Sequence, residues 1–146
     1  MKNIEEIVKE FQKQGYKITP QRREIINILV NNDSHPKAED IYLFLKDRMP
    51  DVSLATVYNT LKMLKDLGMI DAIGVVGDDS IRYDPTTEPH DHLYCVCCNR
   101  IVDVEKGLQV QDLSFTQKEI SGFQIIKRQI TYYGYCPDCR DTLKIT

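Results

Sequence analysis

The chain has 146 residues, 42% of them apolar and 28% charged, with a net charge of −3; this describes a soluble globular protein of one domain or two small ones. No apolar run approaches the ~20 residues of a membrane helix, and the early acids of Met1-Lys2-Asn3-Ile4-Glu5-Glu6 do not fit a secretory leader. An intracellular, cytoplasmic location is therefore expected, where five reduced cysteines point to metal or redox chemistry rather than a disulfide framework.

Residues 3–14 read as an amphipathic helix, with Ile4, Ile7, Val8 and Phe11 at helical spacing and Gly15 as its stop. Thr19-Pro20 opens a second helix, Thr as N-cap and Pro at the first helical position, buried through Ile25, Ile26, Ile28, Leu29 and Val30. After a polar loop at 31–34 and His35-Pro36, a third helix presents Ala38, Ile41, Tyr42 and Leu45 on one face and ends before Pro50. Ser53 caps a fourth, which Gly68 follows. Its inward stripe is Leu54, Val57, Leu61 and Leu64; its outer face carries Ala55, Thr56, Tyr58, Asn59 and Lys62. Met69–Val76 and Ser80–Tyr83 then read as a hairpin turning at Gly77-Asp78-Asp79.

Three helices, a polar-faced fourth and a hairpin are the order of a winged helix-turn-helix, whose fourth helix can enter a DNA major groove. The same face could simply be solvated, and the net charge favours that alternative: residues 1–87 hold 12 Lys and Arg against 14 Asp and Glu. A local basic face matters more than this sum.

Residues 84–91 are rich in proline and polar groups and read as a linker between a first domain, 1–83, and a second, 92–146. In the second, His92–Cys95 and Arg100–Val104 look like strands. Gln109–Ser121 looks like a helix with Val110, Leu113 and Ile120 inward, and Phe123–Tyr133 is a long β-type run. The fold class is thus α+β, a winged helix followed by a small α/β domain.

Two CxxC pairs, Cys95-Val96-Cys97-Cys98 and Cys136-Pro137-Asp138-Cys139, carry the most specific signal. Each pair offers two sulfurs to one ion, and Cys95, Cys98, Cys136 and Cys139 together complete a tetrahedron that suits structural Zn2+ and leaves no open position for catalysis. Cys97 is read as a small apolar residue facing away from the ion.

His90 and His92 stand at i, i+2, the spacing that puts two side chains on one side of an extended strand. They are a metal candidate on that ground. Asp84 precedes them, Asp103 follows, and His35 lies far off in sequence. A site drawing on all five would have three imidazoles and two carboxylates, a set that suits Fe2+ or Mn2+ better than soft metals. Two histidines and a carboxylate also describe iron oxygenases, but two small domains leave little room for a substrate pocket, so no enzyme is expected. A zinc-ribbon interaction module without DNA binding would explain the cysteines and leave the helices and histidines idle.

The run Thr19-Pro20-Gln21-Arg22, His35-Pro36-x-Ala38-Glu39-Asp40-Ile41-Tyr42, Ser53-x-Ala55-Thr56-Val57-Tyr58-Asn59-x-Leu61, Arg82-Tyr83-Asp84, His90-x-His92 and the CxxC pairs resembles the ferric uptake regulator (Fur) superfamily over about residues 5–140, and most of all its peroxide-sensing branch. The resemblance implies a homodimeric repressor on palindromic double-stranded operator DNA, with a regulatory Fe2+ or Mn2+ held by His35, Asp84, His90, His92 and Asp103. It implies peroxide sensing by iron-catalysed oxidation of His35 or His90. Response to iron or manganese alone is the alternative. A Glu is common in the iron-sensing branch where Asp103 stands here. A second metal site of that branch looks absent, because Pro89 and Arg128 occupy its likely histidine positions; Asp91 remains as a solvated acid. The Phe123–Tyr133 strand is expected at the dimer interface. DNA contact is expected from Thr56, Tyr58, Asn59 and Lys62, and phosphate contact from Lys17, Gln21 and Arg22.

Overall fold

In the computed structural model of the chain, residues 3–104, 119–126 and 128–145 are described. They fall into two compact units, Met1–Glu88 and Pro89–Thr146.

The first unit holds four helices and a hairpin. In α1 (Ile4–Lys13), the Asn3 side chain accepts from the Glu6 amide and Glu6 reaches back to the Asn3 amide, a capping box. In α2 (Pro20–Val30), Thr19 Oγ1 accepts from the Arg22 amide and Pro20 takes the first helical position. α3 (Ala38–Leu45) begins where the Asp40 carboxylate accepts from the Lys37 amide at 3.0 Å. α4 (Leu54–Asp66) is capped by Ser53, whose hydroxyl accepts from the Thr56 amide. Gly68, at a φ of +71°, stands just past the last turn in a conformation that costs other residues a steric penalty.

The apolar stripes of the helices meet in one core built around Phe11, Ile26, Leu29, Ile41, Leu61 and Leu64, all fully buried. Each such side chain contributes roughly 1.5–3 kcal/mol by leaving water. Ile4, Ile28 and Tyr42 flank this core, only partly buried.

The wing is β1 (Asp71–Val75) paired antiparallel with β2 (Asp78–Asp84). The expected turn at 77–79 sits one residue earlier. Val75 faces Asp78 across a turn formed by Val76 and Gly77, and Gly77 has a φ of +85°. The register slips between Ile73 and Val75, where Gly74 of β1 stands against Asp79, Ser80 and Ile81 of β2, so the bulge lies in β2. Glycine freedom thus fixes the turn, and the acids that suggested a wider loop are strand residues. An isolated bridge from Lys37 to Arg82 and a bond from the Tyr83 amide to the Pro36 carbonyl (3.0 Å) stitch β2 to the segment leading into α3.

In the second unit, β3 (His92–Cys95) is the centre of a three-stranded sheet. β4 (Ile101–Asp103) runs antiparallel on one side and β7 (Thr131–Gly134) parallel on the other. The register puts His92 opposite both Asp103 and Thr131, and Cys95 opposite Gly134. β5 (Glu119–Ile120) and β6 (Phe123–Gln124) form a separate hairpin, and α5 (Pro137–Leu143) closes the unit.

Two expectations need correction here. The helix expected over 109–121 does not reach its C-terminal end: Glu119 and Ile120 are strand, and Ile120 is exposed. Ser121 and Gly122 both have positive φ, +50° and +81°, the signature of a two-residue hairpin turn. The rest of that helix, with Val110 and Leu113, lies outside the described residues. The long strand expected over Phe123–Tyr133 is instead two short ones, β6 and β7. Among the described residues, no helix is long and apolar enough to cross a membrane.

Candidate metal centres

The four-cysteine cluster lies within the second unit. β3 delivers Cys95 to its end, and a tight turn brings Cys98 back beside it. In that turn the Cys95 carbonyl accepts from the Asn99 amide and the Cys95 amide donates to the Arg100 carbonyl, each at 2.9 Å. Asn99 takes the left-handed conformation the turn requires, with a φ of +62°, which asparagine tolerates better than most residues. Its side-chain oxygen accepts from the Tyr94 hydroxyl at 2.7 Å. Parallel pairing supplies the other half. The Val96 amide donates to the Gly134 carbonyl, carrying the chain on to Cys136, whose own amide donates to Cys95 Sγ at 3.3 Å. Cys136 caps α5, Pro137 takes its first position, and Cys139 stands in its first turn.

Sulfur atoms of Cys95, Cys98, Cys136 and Cys139 all lie within 4.8 Å of one another. The Cys98–Cys136 sulfur separation is 3.8 Å, close to the edge of a tetrahedron with Zn–S bonds of about 2.3 Å. The donor set therefore fits Zn2+. Amide donation to Cys95, first from Cys136 and then from Cys98, pulls its thiol down to about 6. Cys139 is pushed well above the ordinary thiol range, by sulfur contact with Cys136 first and Cys97 second. Crowded sulfurs cannot all ionise unless a cation balances them.

Cys97 stands outside the four-sulfur group, as expected, but it is exposed rather than packed as an apolar residue, because the knuckle turn carries residues 96–99 out to solvent.

The second unit holds a further donor group. Asp103 on β4 lies opposite His92, and His90 reaches the same carboxylate from the segment just before β3. Asp103 Oδ1 is 3.1 Å from His90 Nε2 and 3.4 Å from His92 Nε2. The two imidazole rings are 4.5 Å apart and edge-on, and His92 is fully buried. Two imidazole nitrogens converging on one carboxylate oxygen form the corner of a mixed N/O ligand set.

The first unit holds a buried pair. His35 Nε2 is 3.1 Å from Asp84 Oδ2, and both side chains are about 97% removed from solvent, at 3% and 2% exposure. The stitching of Pro36–Lys37 to Arg82–Tyr83 sets this contact, since it places the residue before one pair beside the residue after the other. His35 adopts a φ of +55°, an uncommon backbone state for a non-glycine residue and one that often accompanies a functional demand. The other Asp84 oxygen accepts from the Thr86 amide at 2.8 Å, which holds the carboxylate in place.

The residues expected at DNA occupy the first unit. Tyr58, Asn59 and Lys62 are exposed on α4 and Thr56 is half-buried. Lys62 pairs with Asp66 at 2.8 Å, and the Thr56 and Ser53 hydroxyls share a bond. Lys17 is exposed and Gln21 half-buried. Arg22 has internal duties: its guanidinium donates to the Lys17 carbonyl at 2.7 Å and lies over the Phe11 ring. Sequence reasoning missed two partners, Glu39 to Tyr58 and Asp138 to Arg100. Both contacts join distant segments, and no local pattern announces them.

The sequence pattern of the Ferric uptake regulator family matches residues 13–133. The peroxide-responsive repressor PerR of Staphylococcus epidermidis is 34% identical over 138 residues, 94% of this chain and 91% of that protein. Among solved structures, PerR from Streptococcus pyogenes is similar at 31% identity and a TM-score of 0.56, covering 95% of this chain and 94% of that one. The Helicobacter pylori ferric uptake regulator Fur shares the fold, with a TM-score of 0.75 at 21% identity over 95% of each chain.

Proposed function

This chain belongs to the ferric uptake regulator family, and from that premise we propose that it is a metal-dependent, DNA-binding transcriptional repressor that senses peroxide through oxidation of a histidine ligand. The observation that carries this reading is the donor chemistry of the two units. His90, His92 and Asp103 converge in one, and His35 meets Asp84, buried, in the other. Together they make three imidazoles and two carboxylates, a ligand set for Fe2+ or Mn2+. Relatives at 33–34% identity bear the name peroxide-responsive repressor, which supports regulation rather than enzymatic turnover.

Holding a single ion, the five side chains would tie the helical unit to the sheet unit and stiffen the segment near residues 84–89. The exposed apolar residues of the second unit, such as Phe123 and Tyr133, support a homodimer. In a dimer that stiffening sets the spacing of two α4 helices on a palindromic operator. Thr56, Tyr58, Asn59 and Lys62 would read or flank the groove, with Lys17, Gln21 and Arg22 toward phosphates. Metal and operator affinities are then linked reciprocally, typically by ~1–3 kcal/mol. Cys95, Cys98, Cys136 and Cys139 would hold a structural Zn2+ apart from this cycle.

When bound, Fe2+ would supply the chemistry that breaks the peroxide O–O bond beside its ligands, which Mn2+ does far less readily; overall one peroxide oxygen goes to an imidazole carbon, which loses the two electrons, and the other leaves as water. His35 and His90 are the expected targets. An imidazole that has gained an oxygen is a poorer donor, so the set loosens and the operator is released. Peptide mass spectrometry after mild peroxide should find one added oxygen on the His35 and His90 peptides of iron-loaded protein and none with manganese. Unmodified histidines and retained DNA binding in the iron-loaded protein would defeat the reading.

A further inference from the structure

Tyr58 is the one aromatic side chain on the outer face of α4, and it is 42% exposed. Its hydroxyl donates to Glu39 Oε1 at 2.5 Å, reaching from α4 to the first turn of α3. The same bond holds the Glu39 carboxyl below its ordinary range and the Tyr58 phenol above its own. A phenol has one proton to donate. With that proton on Glu39, only lone pairs and the ring remain for anything docking on α4.

A phosphate oxygen accepts hydrogen bonds and carries negative charge, so it can take nothing from this hydroxyl and is repelled by the carboxylate beside it. The major-groove edges of bases offer what remains compatible: the amino groups of adenine and cytosine as donors, and the thymine methyl as an apolar contact for the ring. We propose that Glu39 is a specificity-determining positioning residue, which by taking the phenol proton of Tyr58 withholds that side chain from phosphates and commits it to base edges. The proposal rests on the reading of α4 as the DNA-facing helix. It adds a role for an acidic residue that the net charge alone would count against DNA binding.

The test uses full-length protein loaded with Zn2+ and Mn2+, and a duplex obtained by selection from a randomised pool. The readout is the ratio of affinity for that duplex to affinity for a scrambled one. Glu39→Ala frees the phenol proton for phosphates, so the scrambled duplex should bind more tightly and the ratio should fall about fivefold, the scale of one hydrogen bond. Glu39→Gln keeps an accepting oxygen without the charge, so affinity should rise for both duplexes with the ratio near that of the wild type. In a Tyr58→Phe background, Glu39→Ala should leave the ratio unchanged. The inference is overturned if the Ala and Gln variants behave alike, if Ala leaves the ratio intact, or if Ala lowers it equally without the hydroxyl. A wild-type chain that selects no duplex overturns the DNA-binding reading itself, and this inference with it. Both positions are exposed, and thermal melting checks that the variants fold.

Discussion

The sulfur cluster and the histidine–aspartate donors differ in how the chain assembles them. All four sulfurs belong to one unit and are set by two short turns and one parallel strand pairing. The imidazoles and carboxylates are divided, with His35 and Asp84 in the first unit and His90, His92 and Asp103 in the second. Ligands confined to a unit can only stabilise that unit. If one ion drew on both groups, its affinity would depend on their arrangement, and any such dependence is a lever. The same β3 strand serves both purposes, starting at His92 and ending at Cys95.

The largest effect should come from the sulfurs. Among the described residues of the second unit few apolar side chains are fully buried, Ile101 chief among them, so an ion that joins β3 to α5 would do much of the work of a core. Cys136→Ser should reduce zinc content from one equivalent to less than about a tenth and unfold this unit. Metal analysis alongside near-ultraviolet circular dichroism would check both. A variant that lost zinc yet kept its tertiary signal would erase the distinction between a structural and a regulatory centre.

The next test cuts the divided set from either side. His92→Ala and Asp84→Asn remove one donor from each unit. If one ion uses both halves, each change should weaken Mn2+ binding by at least about a hundredfold, with zinc content unchanged. Titration calorimetry at fixed zinc occupancy measures this. Two independent weak sites would instead leave half of the Mn2+ binding intact in each variant, and the lever would be gone.

What could be read from the sequence follows the same division between local and distant. The helices announced themselves through caps and periodicity, as Thr19 and Ser53 illustrate. The cysteine pairs were legible because their spacing is itself the geometry of the turn. The 109–121 helix was misread at its end because apolar spacing suggested period 3.6, whereas the positive φ of Ser121 and Gly122 made a hairpin there. Cys97 stands outside the four-sulfur group as its alternation suggested, but it lies in solvent, because the turn after β3 offers no apolar surface to pack against. The Glu39–Tyr58 bond stayed invisible for a different reason: the fold of two helices against each other creates it, and neither residue's neighbours in sequence foretell it. The family resemblance implied that His35 and Asp84 share a site, but no local pattern did; the bridge between residues 37 and 82 and the Tyr83–Pro36 bond bring them together.

The smallest effect separates the sulfur ligands from the charge around them. Arg100 Nη2 lies 3.1 Å from Asp138 Oδ2, linking the turn after Cys98 to the one between Cys136 and Cys139. The pair is exposed on both sides, so solvent screens it and it adds little to stability. Its placement still matters, because a four-thiolate zinc centre carries a net negative charge and Arg100 stands beside Cys98. Asp138, first among the causes, and then Cys136 hold the guanidinium protonated. Arg100→Gln should leave the fold and the zinc content as they are and speed zinc transfer to a colorimetric chelator about two- to threefold, with the difference shrinking as salt rises. A salt-independent acceleration would mean that the arginine acts by shaping the knuckle turn rather than by its charge, and a loss of zinc at equilibrium would move it from the surroundings of the centre into its structural frame.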